Sequence, residues 1–197
     1  CYRLNGNSFC NTNWYQTIGE DEFPVLDSAH GVVYPVDGTT YASFQDEESF
    51  KEFQNTVCQA ERDIIENAVA TQSILDECLA TIDKLSSISK KEEFLATYND
   101  YISLKKKLQE SMDAYAAYKQ KADEVTAYLE VNEGFQGELR NQLVSYLSDD
   151  VEPNDDFENG SYIYIMDNHT LTTEEIQAET VKIQIMLENA MAADYAA

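Results

Sequence analysis

The sequence predicts a mainly α, α+β fold: a long antiparallel helical hairpin, a small β-sheet and a C-terminal helix. Three observations predict it. Apolar residues recur at helical spacing from Phe50 to Leu129, with no Gly or Pro among them; those two residues are the most costly inside a helix. Two runs rich in β-branched and aromatic residues flank Asp37-Gly38, a favoured two-residue hairpin turn. A capping box, Thr172 with Glu175, opens another periodic run near the C-terminus.

One domain over 1–197 follows, in three stretches. Residues 1–45 hold an irregular segment and the hairpin, whose strands are Val32 to Val36 and Thr39 to Phe44. Pro35 suits an edge strand, where no ladder donor is needed. Residues 46–131 form the long helical hairpin. Its first arm carries Phe50, Phe53, Val57, Ala60 and Ile64, steps to Ala68, and resumes at Thr71, Leu75, Cys78, Ile82 and Leu85. The step at Ala68 is a stutter, which relaxes a left-handed supercoil. Ser89 and Glu92 make a capping box for the second arm, which runs through Phe94, Tyr98, Tyr101, Leu104, Leu108, Met112, Tyr115, Tyr118, Ala122, Val125 and Leu129. Each arm would be about 60 Å long at 1.5 Å per residue. Residues 132–197 hold a short helix through Leu139, Leu143 and Tyr146, an acidic loop, a strand over Ser161 to Met166, and the last helix. That strand is expected to join the N-terminal hairpin in one small sheet. In the last helix Ile176, Ile183, Leu187 and Ala190 line one face, flanked by Val181, Met186 and Met191.

Composition narrows the function classes. The chain has 37 acids against 13 bases, a formal net charge of −24. Nucleic-acid binding needs a basic footprint, so it is not expected. Attraction to anionic lipid is opposed for the same reason. A basic protein partner, or divalent cations outside a cell, suits such a surface.

The four cysteines, Cys1, Cys10, Cys58 and Cys78, lack metal-ligand spacing. Their even number fits disulfides in an oxidising compartment. On one unbroken helix Cys58 and Cys78 stand about 30 Å apart, far beyond disulfide reach. They pair only if the helix breaks near Ala68. If the helix holds, Cys1 and Cys10 pair with each other or with the helix; if Cys1 is lipidated, the expected bond is Cys10 to Cys58, with Cys78 a small buried apolar residue. Cys1 stands where an initiating Met is expected, which reads as processing. A lipidated Cys1, as in a surface lipoprotein, and a plain secreted start are the two readings; the membrane enters only through such a lipid. Sequons at Asn159 and Asn168 agree with export.

Catalytic constellations are missing from the local sequence. His30 and His169 are the only histidines, neither with a partner at zinc spacing, and no Gly-x-Ser-x-Gly motif occurs. No enzyme is therefore expected. The loop over 149–160 offers Asp149, Asp150, Asp155, Asp156 and Glu158 as hard oxygen ligands for Ca²⁺, without the EF-hand order. Tyr98, Tyr101, Tyr115 and Tyr118 crowd the second arm; a tyrosine joins an apolar ring to a hydroxyl that can stay wet, and is common at interfaces. The reading is a non-enzymatic extracytoplasmic accessory or structural protein, bound to a protein partner or to further copies of itself. A calcium- or ligand-binding module on 149–160 is the alternative.

Overall fold

The computed structural model describes residues 47–132, 137–153 and 161–196. Upstream of Glu47 it describes backbone ribbon segments only, and no side chain. From Glu47 onward every element is a helix: α1 (Glu47–Glu66), α2 (Gln72–Ser87), α3 (Lys91–Val131), α4 (Glu138–Ser148), α5 (Tyr162–Asn168) and α6 (Thr173–Ala196). The expected small β-sheet is not supported. Ser161 to Met166, which was to supply its last strand, lies at the cap and body of α5. In a run this short, Tyr-Ile-Tyr-Ile alternation fits a buried helical turn as well as a strand, and the packing of Ile165 in the core decides for the helix. The hairpin expected over 32–44 lies outside the residues with described side chains.

The expected unbroken first arm is also corrected. It is two helices, separated at residues 67–71. No Gly or Pro marks the break. Thr71 does, through long-range bonds. Its N–H donates to Ser111 Oγ at 2.8 Å and its hydroxyl donates to the Leu171 carbonyl, also at 2.8 Å. Its own carbonyl accepts from Ile74 and Leu75, starting α2.

The chain forms two compact units, divided within α3. The first contains α1, most of α2 and the start of α3. Phe94, near the start of α3, meets Phe50 and Phe53, near the start of α1, edge-on at 5.5 and 5.9 Å. Further along, Glu61 meets Tyr101 and Lys105. Those two contacts make α1 and α3 run the same way. Gln54 donates to the carbonyls of Leu85 and Ile88, at the end of α2, so α2 runs against both.

The second unit contains residues 68–75 and everything from Lys107. Tyr115 donates to the Leu171 carbonyl before α6 begins, and Tyr128 to Asp194 near its end. The later part of α3 is therefore parallel to α6. Arg140 reaches the Leu129 carbonyl, while Tyr146 meets Tyr118, so α4 runs back along α3. Tyr115, Tyr118, Val125, Leu143, Tyr146, Ile176, Ile183 and Leu187 belong to one buried cluster. The start of α6 is as expected: Thr172 and Glu175 bond reciprocally at 3.2 Å, over the buried pair Leu171 and Ile176.

Candidate functional site

The tyrosines proposed as a docking face are interior. Tyr98, Tyr101, Tyr115 and Tyr118 are all buried, so their rings present no surface to a partner. Each has a packing role. Tyr98 stacks on Phe94 with rings 2° from parallel. Tyr101 donates to Glu61 Oε2 at 2.8 Å. Tyr115 donates to Leu171 O and meets the His169 ring edge-on at 5.4 Å. Tyr118 ends a chain that sequence reading missed. The Tyr146 hydroxyl donates to Glu179 Oε2 at 2.5 Å and lies 2.8 Å from the Tyr118 hydroxyl. A tyrosine has one proton to give, so Tyr118 is the donor to Tyr146. Burial is the leading cause that raises the Tyr118 and Tyr146 hydroxyls above the ordinary phenol value.

In the first unit, Glu61 is fully buried and accepts from Tyr101 and from Lys105 Nζ, the latter at 2.9 Å. A buried carboxylate is tolerable when a cation and a donor meet it together. Cys58 and Cys78 are buried free thiols, each pushed up to about 11 by burial first of all. Cys58 faces the interior of a helix packing, where a free thiol is an apolar filler; the other half of the expected Cys10–Cys58 bond lies outside the residues with described side chains. Cys10 and the lipidation candidate Cys1 lie outside the residues with described side chains. The break near Ala68 removes the one-helix objection to a bond between Cys58 and Cys78, yet both remain free.

The acidic loop is described only to Pro153. Asp149 and Asp150 are exposed, while Asp155, Asp156, Glu158 and the sequon residue Asn159 lie outside the described residues. Among the described residues no group of three or more side chains is placed to hold a metal, and no helix is long and apolar enough to cross a membrane. Asn168 is exposed at the end of α5 and donates to the Tyr164 carbonyl. His169 caps that helix in the left-handed region, at φ 53 and ψ 35, and its carbonyl accepts from Gln72 N. Its role is structural.

The described surface carries one unexpected feature. On α6, Ile183, Leu187 and Ala190 face the core. Val181, expected to flank them, is instead 59 % exposed. It belongs to a second apolar line made by Ala178, Val181, Ile185 and Ala192, all exposed. Steps of three, four and seven residues keep these on the side of the helix opposite the core. Glu174 and Glu188, also exposed, accompany them on that side. An ordinary surface helix turns polar residues outward; this one turns out valine and isoleucine beside carboxylates.

No family model, curated protein or solved structure matches this chain.

Proposed function

We propose that this chain is a non-enzymatic, extracytoplasmic accessory or structural protein, a subunit of a larger assembly, and that it docks its partner on the outer face of α6. The observation that carries this reading is the exposed line of Val181 and Ile185, 59 % and 44 % accessible, bordered by Glu174 and Glu188. Apolar area of this kind gains free energy when covered. The acidic border selects what covers it. A segment with apolar residues flanked by Lys or Arg complements the face, whereas a second copy of a chain with net charge −24 brings like charges together. A helix laid along α6 is the simplest such segment.

A non-enzymatic role is supported by the buried polar groups. Glu61, Tyr101, Tyr146 and Glu179 bond to one another or to neighbours inside helix packings, which is structural work. The setting outside the cytoplasm rests on the sequons at Asn159 and Asn168. Cys58 and Cys78 add nothing to it as free thiols.

The test is recovery of the partner from the protein's natural source with and without Val181→Asp and Ile185→Asp. Both sites are exposed, so helicity should be unchanged while recovery falls at least about tenfold and weakens further with added salt. Unchanged recovery by the double variant would refute the docking face. Intact mass of the native chain tests the compartment: a glycan or an acyl group supports export, and an unmodified chain contradicts it.

A further inference from the structure

The exposed row on α6 is more regular than an apolar patch. Glu174, Ala178, Val181, Ile185, Glu188 and Ala192 follow one another in alternating steps of four and three, and all six are exposed. That is a heptad seam. One column holds Ala178, Ile185 and Ala192; the other holds Glu174, Val181 and Glu188. The buried residues Ile176, Ile183 and Ala190 occupy the opposite side of the helix, so the seam is separate from the stripe that folds α6 onto its core. We propose that this seam pairs with an α-helix of another protein in a left-handed coiled coil, with Glu174 and Glu188 fixing the register against two basic residues two heptads apart. The inference rests on the docking face proposed above and names what lies on it.

Three observations select this occupant. First, a row that repeats every seven residues drifts around a straight helix by about 20° per heptad. A second helix coiled to the left follows that drift and meets every position. A strand or loop crossing at Val181 and Ile185 would leave the ends of the row uncovered. Second, the middle of the seam is β-branched and its flanks in the first column are small. Val181 and Ile185, 59 % and 44 % accessible, are shaped as knobs for the holes of a facing helix. Ala178 and Ala192 leave room for larger side chains from the other side. Third, Glu174 and Glu188 stand in the seam itself, whereas coiled-coil carboxylates ordinarily stand at its rim. Covering a carboxylate is costly unless a cation meets it there, and a polar seam residue sets register at a cost in stability. Glu188 accepts from the Gln184 amide at 2.7 Å, a neutral donor. Lys182, on the same helix, is turned to the Tyr146 ring and Glu179. The cation therefore comes from the partner. A second copy fits worse. Run parallel, it sets each glutamate against its own image; run antiparallel, it sets each against an alanine and covers four carboxylates without a cation. Each copy also brings a net charge of −24.

The experiment titrates the full chain into three labelled helical peptides of four heptads, read by fluorescence anisotropy below the concentration at which each peptide self-associates. All carry leucine along the seam except at two seam positions two heptads apart. The first peptide has lysine at those two positions. The second has norleucine there and the two lysines on its outer face, so its net charge is the same. The third has glutamate there. The first is expected to bind saturably and at least about tenfold more tightly than the other two. Glu174→Gln with Glu188→Gln should erase that preference, the lysine peptide losing roughly tenfold, the scale of one charge-assisted hydrogen bond, with the helical circular dichroism of the chain unchanged. Saturable binding by none of the peptides, equal binding of the first two, or a preference that survives both glutamine substitutions overturns the proposal. Sedimentation of the chain as a dimer that Val181→Asp dissociates gives the seam to a second copy and also overturns it. The docking face fails separately: partner recovery that survives Val181→Asp and Ile185→Asp refutes the face and this inference with it. Recovery that falls with those variants, beside peptides bound without preference, keeps the face and refutes the coiled coil.

Discussion

Tyr146 links three neighbours in the second core. It accepts from Tyr118, donates to Glu179, and lies under Lys182, whose Nζ is 5.8 Å from the ring centroid. Tyr146→Phe keeps the ring, strands the buried Tyr118 hydroxyl, and leaves Glu179 with Lys182, 4.0 Å away. The expected cost is about 1–3 kcal/mol, read as a lower urea midpoint with an unchanged slope; an unchanged midpoint would mean water replaces the hydroxyl. Titration adds a second expectation. The folded chain raises Cys58 and Cys78 from the ordinary 9.0 to about 11, and raises Tyr101, Tyr118 and Tyr146 above 10.0. Raised values in acids mean that the folded state keeps protons the unfolded state releases. That stability is complete below the unfolded values and is lost as pH climbs. Urea midpoints should therefore hold up to pH 9, fall between 9 and 11 as the thiols ionise in the unfolded chain, and fall more steeply above 10. Tyrosinate absorbance should appear together with unfolding for the buried tyrosines. Ionisation of Tyr101, Tyr118 or Tyr146 in a chain that is still fully helical, read by site-resolved NMR, would contradict their burial.

At the level of elements, the sequence displayed the helical seams well where they were apolar and badly where they were polar. Leu75, Cys78, Ile82 and Leu85 on α2, and Phe94 through Val125 on α3, are buried almost as their spacing predicts. On α1 the apolar pattern pointed to Ala60 and Ile64, whereas the buried positions are Glu61 and Ile65, and Ile64 is 42 % exposed. The seam passes through a carboxylate that only Tyr101 and Lys105 make affordable inside, and both lie at least forty residues away. The break between α1 and α2 was hidden for the same reason. Thr71 reads as one more small residue on a seam until Ser111 and Leu171 are seen to bind it. Thr71→Val keeps the shape and removes the hydroxyl, leaving Ser111 and the Leu171 carbonyl short of a partner. A loss of about 1–3 kcal/mol is expected, with faster amide exchange at Thr71 and at the start of α2. Exchange unchanged there would show that the backbone holds the break without the side chain. The candidate site was legible in part. Val181 and Met191 were visible as apolar residues beside the α6 core stripe, but only the packing shows that they face away from it.

For the whole chain, charge and burial point to the same kind of partner. The net charge of −24 disfavours nucleic acid, anionic lipid and self-association. The described surface pairs that charge with an apolar line on α6, Val181 and Ile185 among it. The former docking candidates, the four α3 tyrosines, are spent on the cores, so a partner must use another surface. A photo-reactive amino acid in place of Ile185, activated in the natural source, reads what covers α6. The predicted result is a cross-link to a single different protein through a basic segment. A cross-link back to residues 1–46 of the same chain, or to a second copy, would contradict it and make the exposed face an internal or self-made interface instead.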